Sequence, residues 1–76
     1  RGMVFRPIPI SYLIQTANQF DCEIFVKSDT HTANVKHYDE MKNVRMSGFL
    51  TFYFKGSDEL EAEDRIHRIL WEDNEG

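Results

Sequence analysis

The sequence predicts an α+β fold, an open-faced β-sandwich. An antiparallel sheet of three to four strands would carry two longer helices and one short helix on one face. Three observations point there. Apolar residues recur at helical spacing twice, as Ile10, Leu13, Ile14 and Ala17, and as Ala62, Ile66, Ile69 and Leu70. Between them Cys22, Ile24 and Val26, and later Leu50, Phe52 and Phe54, alternate at the period of a half-buried strand. Two longer helices can cover only one face of such a sheet, which leaves Phe25, Phe49 and Tyr53 facing solvent or a partner.

Each element has a local reason. Met3–Phe5 fits a stub of strand. Pro7 and Pro9 suit a helix entrance, where the missing donor of proline costs nothing, so a helix is expected over residues 9–20. No Ser, Asp or Asn caps its start, and its first N–H groups want another partner. Residues 23–28 read as a strand, Ser28-Asp29-Thr30 as a hairpin turn, and residues 31–36 as the returning strand with Ala33 and Val35 inward. The polar stretch 37–42 fits a single helical turn. Gly48 precedes "FLTFYFK", residues 49–55, the strongest strand in the chain. Gly56-Ser57-Asp58 ends it, and Asp58 with Glu61 has capping-box spacing at the head of the last helix.

Seventy-six residues suit one small domain, taken as 1–76. No apolar run approaches the roughly 18–20 residues of a membrane span, and no signal peptide is visible. Cys22 is the sole cysteine, so no internal disulfide forms, which suits a reducing, cytoplasmic setting. The Arg1-Gly2-Met3 opening reads as a processed end or an added remnant. Formal charge is −4, unevenly spread: residues 58–76 hold eight acids against Arg65 and Arg68, while the rest carries a small positive excess. An acidic helix without a basic stripe elsewhere argues against nucleic-acid binding and reads as a solvated face.

Most catalytic signatures are absent: there is no phosphate loop, paired-cysteine spacing or nucleophile elbow. Cys22, His31, His37 and His67 lie scattered over separate elements, so neither a metal nor a cofactor is expected. Cys22 begins an inward-facing alternation and reads as core rather than nucleophile. The entrance to the first helix differs. Its unpaired amides and the helix dipole favour an anion, and Arg6 just upstream adds a second reason for an anion, or a partner's carboxylate, to sit there. The alternative is a surface arginine with water on the amides.

The stretch "QTANQFDCEIFVKSDTHTANVKHY", Gln15 to Tyr38, resembles without a gap the corresponding segment of HPr, the histidine-containing phosphocarrier of the bacterial sugar phosphotransferase system. "GSDELEA" is similar to that family's entry to its last helix, and the likeness runs over roughly residues 6–72. Carried back from Gln15, the resemblance puts Pro9 on the proline after the family's active-site arginine, Ile8 in that arginine's place, and Arg6 in the place of the phosphoryl-accepting histidine. His37 falls where many relatives carry a regulatory serine.

The resemblance therefore implies a degenerate, phosphorylation-incompetent relative, not an enzyme, acting as a regulatory or protein-binding module. Its implied partner face is Arg6, Ile8, Pro9, His37, Tyr38 and Met41, with an apolar centre at Ile8, Tyr38 and Met41. Tyr38 and Met41 would otherwise pack against the first helix. The alternative function is a phosphocarrier using another histidine such as His37. Family members spend a full strand and loop before the histidine, whereas here five residues precede Arg6. Either Met3–Phe5 substitutes for that strand, or the strand carrying Phe49–Phe54 becomes a sheet edge that invites a homodimer through edge or face.

Overall fold

The fold is seen in a computed structural model that describes residues 3–46 and 49–73. The expectations at Gly48 and at the Arg1-Gly2 opening lie outside those residues. The elements in order are β1 (Met3–Phe5), α1 (Ile10–Ala17), β2 (Glu23–Lys27), β3 (Thr32–Asn34), α2 (Tyr38–Met41), β4 (Thr51–Lys55), α3 (Glu59–Leu70) and β5 (Trp71–Asp73).

The main sheet is antiparallel with order β3-β2-β4. Ile24 and Val26 of β2 are fully buried while Glu23 and Lys27 are exposed, the alternation the pleat requires. Leu13 and Ala17 of α1 and Ala62, Ile66 and Leu70 of α3 meet that face and make the core, with Val35, Met41 and Val44. Burying a side chain the size of Leu13 or Ile66 contributes roughly 1.5–3 kcal/mol each. On the uncovered face Tyr53 is exposed, Phe25 is half-buried, and Phe49 is 96% exposed. The open-faced arrangement is therefore present.

The structure differs from expectation at several element ends. α1 stops at Ala17, and Asn18 caps it by donating from both its backbone N–H and its side-chain amide to the Ile14 carbonyl. β3 keeps only Thr32–Asn34, because the Asn34 side chain accepts from the Lys36 N–H and turns the chain out of the ladder. The turn into β3 is built on Ser28, whose hydroxyl accepts from the N–H groups of Thr30 and His31.

The capping box at Asp58 and Glu61 does not form. Asp58 has φ −107° and ψ 26°, not the extended geometry that aims a side chain at its own helix, and makes no side-chain cap. Its carboxylate instead accepts from Asp21 N–H at 2.8 Å and Cys22 N–H at 2.9 Å, tying the head of α3 to the start of β2. Glu59, not Glu61, reaches back to the Gly56 N–H at 3.0 Å.

The stub β1 does not join the main sheet. It pairs antiparallel with β5, a strand sequence periodicity did not suggest, with Met3 opposite Asp73 and Phe5 opposite Trp71. Of the two alternatives at the curtailed first strand, the second holds: Met3–Phe5 is a strand but does not substitute for the missing one, and among the described residues β4 is an edge of the main sheet.

Candidate functional site

The entrance to α1 is assembled by proline geometry and one long-range hydrogen bond. Ile8 N–H donates to the Arg6 carbonyl at 3.0 Å across Pro7, a three-residue turn whose centre wants the φ that a pyrrolidine ring fixes. Arg6 N–H donates to the Leu70 carbonyl at 2.6 Å, fastening the entrance to the end of α3. Pro9 is the N-cap, extended at φ −64° and ψ 142°, and supplies no capping side chain.

Beneath this entrance lies a dimple of about 30 Å³, room for about a water molecule, lined by Arg6, Pro7, Ile8 and Pro9 with Leu13, Met46 and Leu70 below. Arg6 and Pro9 are exposed at its rim and Ile8 is half-buried in its wall. The site thus presents helix amides without a side-chain cap, an arginine and an apolar floor. It can receive an anionic or apolar group, and it holds no nucleophile.

The other expected face residues sit apart. His37 is the N-cap of α2, and its Nδ1 lies 3.1 Å from Glu40 Oε2. Glu40 also accepts from the Asn34 N–H at 2.8 Å, and that bond, with the imidazole second, holds its carboxyl below the usual range. Tyr38 is 60% exposed beside them. His37, Tyr38, Asp39 and Glu40 border a shallow surface of their own, distinct from the Arg6 dimple.

Met41 corrects the expected face. It is fully buried in the core, because α2 packs on β3 and α1 and a four-residue helix can present only one apolar side inward. The apolar centre therefore loses one member, and the six expected residues divide into Arg6, Ile8 and Pro9 at α1, His37 and Tyr38 at α2, and Met41 inside.

Sequence reading missed Met46 and Leu70 as parts of the entrance. Leu70 carried a signal, as the last apolar residue of the α3 stripe, but nothing in the stretch after α2 singled out Met46.

The remaining reactive groups are placed elsewhere. His31 Nδ1 lies 2.9 Å from the Thr30 hydroxyl in the hairpin turn, and the His67 ring packs on Trp71 with centroids 5.1 Å apart. Cys22 is buried, and burial first, with the neighbouring Asp58 carboxylate second, pushes its thiol up, the opposite of an activated nucleophile. Among the described residues no cluster of His, Cys, Asp and Glu is set to hold a metal ion, and no helix is long and apolar enough to cross a membrane.

No family model matches the sequence, and no curated protein does. Solved structures do. The HPr dimer from Thermoanaerobacter tengcongensis superposes with a TM-score of 0.73 at 25% identity, covering 80% of this chain and 72% of that one. Crh, the catabolite repression containing protein of Bacillus subtilis, solved as a dimer with a swapped domain, gives a TM-score of 0.70 at 24% identity, covering 87% and 78%. The fold is HPr-like.

Proposed function

We propose that this chain is an HPr-like binding or regulatory module related to the sugar phosphotransferase system, and that it does not carry phosphate. The observation that carries the reading is the group at the mouth of α1. Arg6 is exposed there, while His31, His37 and His67 are each engaged on other elements. Arginine stays protonated at any physiological pH, so its guanidinium offers no lone pair to attack phosphorus as a neutral imidazole does.

In this reading Arg6, Ile8 and Pro9 meet a protein partner through a cationic rim and an apolar dimple, and His37 and Tyr38 extend the contact from their own surface at α2. A fixed positive charge replaces a transient negative one, so the face suits an acidic or apolar surface and is indifferent to the phosphorylation state of the cell. The setting is cytoplasmic, in keeping with a single, unbridged cysteine.

One observation favours a second reading. Glu40 orients the exposed imidazole of His37, and a carboxylate-oriented histidine is the kind of group that accepts a phosphoryl. Incubation with phosphoenolpyruvate and the general charging enzyme of the system, followed by intact mass measurement, separates the two. The first reading expects no mass increase. A stoichiometric, acid-labile adduct that disappears in His37→Ala would establish the second. Affinity capture with Arg6→Glu as the control bait tests the face itself: the same partners recovered with both baits would place binding elsewhere.

A further inference from the structure

β4 is the outer strand of the main sheet: β2 pairs with one side of it, and among the described residues no strand pairs with the other. The groups it offers follow from the ladder. Val35 N–H donates to the Ile24 carbonyl at 2.9 Å and Ser28 N–H to the His31 carbonyl at 2.8 Å, so the backbone groups of Ile24, Val26 and Ser28 turn toward β3. Those of Glu23, Phe25 and Lys27 turn toward β4, where they meet Lys55, Tyr53 and Thr51. Phe52 and Phe54 therefore point their N–H and C=O outward along the open edge.

Neither proline nor bulge blunts this edge. Phe52 and Phe54 are half-buried, and with Leu50, Ile66 and Trp71 they line a groove of about 230 Å³ between β4 and α3. Phe52 packs edge-on to Trp71, with centroids 6.1 Å apart.

We propose that this edge is a self-association surface, on which β4 of one copy pairs antiparallel with β4 of a second about a two-fold axis at Tyr53. The strand's own pattern argues for a second copy as the occupant. Centring on Tyr53 pairs every residue of the strand and sets Phe52 against the partner's Phe54, so that outward donors meet outward acceptors. On the helix-covered side these four phenylalanines close the two grooves over one another.

Charge fits as well. On the open face Lys55 keeps Glu23 on its β2 side and meets the partner's Thr51 on the other, so no like charges stand opposed. Phe25, Tyr53, the partner's Tyr53 and the partner's Phe25 form one aromatic row across the joint. The contact is isologous and closes at two copies.

Sedimentation of the whole chain over a concentration series tests this, with Tyr53→Lys, Tyr53→Glu and their equal mixture. Tyr53 is 51% exposed, so either substitution leaves the core untouched. The wild type is expected to dimerise. Each variant alone sets like charges across the axis and should dimerise at least about tenfold more weakly, while the mixture should recover the dimer. A wild type that stays monomeric overturns the proposal, as does a dimer indifferent to Tyr53→Lys or a mixture that stays apart. Tyr53→Cys provides an independent test should the charged variants fail to fold. This non-hydrogen-bonded pair brings its Cβ atoms close, so mild oxidation should link two copies through position 53, and absence of that link counts against the register.

Discussion

Asp58 Oδ1 accepts a hydrogen bond from the backbone N–H of Cys22 at 2.9 Å, while Oδ2 accepts from Asp21 N–H at 2.8 Å. One carboxylate thus closes the backbone at the entry to β2, from the turn between β4 and α3. Among the causes acting on Asp58, the Asp21 N–H comes first in drawing its carboxyl below the ordinary 3.8.

Asp58→Asn should lower the thermal midpoint at neutral pH, because an amide has one acceptor oxygen for these two N–H groups and turns a donor NH2 toward the other. The sign with pH follows from the depressed folded-state value. The stabilisation is fully present above about pH 4 and is lost as pH falls through the folded pKa. Melting curves of wild type and Asp58→Asn should therefore converge below about pH 4 and stay apart above it.

Gly56 adopts φ +152°, and a Cβ placed there would lie 2.7 Å from Cys22 Cα. Backbone cannot yield as the tip of a flexible side chain does. Gly56→Ala should cost about 1–3 kcal/mol or more in urea unfolding, and the loss should not be rescued by shortening the Cys22 side chain to alanine.

Met41 lies wholly inside the core, so Met41→Ala should destabilise by about 2–5 kcal/mol. Partner capture by the fraction that remains folded should be unaffected. Tyr38→Ala, at a 60% exposed position, should do the reverse: little change in stability and weaker capture.

Arg6→His combined with Ile8→Arg places an imidazole and a guanidinium at the mouth of α1. This pair should take up phosphate from phosphoenolpyruvate and the charging enzyme, read as an acid-labile mass increase, where the wild type is expected to take up none. A pair that stays unmodified would mean that the entrance itself, and not only its side chains, departs from a working carrier.

How legible this was in the sequence varies by element. The interior of β2, the α3 stripe and the α1 stripe were readable because one buried face imposes a period, and Ile24, Ile66 and Leu13 all sit where that period puts them. The ends were not. Asn18 and Asn34 redirect the chain through side-chain bonds to neighbours whose geometry no periodicity reports. Asp58 and Glu61 show capping spacing, yet the stronger offer for Asp58 came from two amides far away in sequence. At the site, the two prolines and Arg6 announced the entrance, whereas Met46 reached its floor by tertiary folding alone. β5 escaped notice because three residues after a helix carry too little pattern to be told from a tail.

The pairing of β1 with β5 places Met3 directly across from Asp73. The segment before α1 and the segment after α3 therefore cannot fray independently, since each supplies the other's backbone partners. Loosening either one also frees the Arg6–Leu70 bond that seats the entrance to α1, so that entrance should be no steadier than a two-stranded ribbon whose second strand is far from it in sequence.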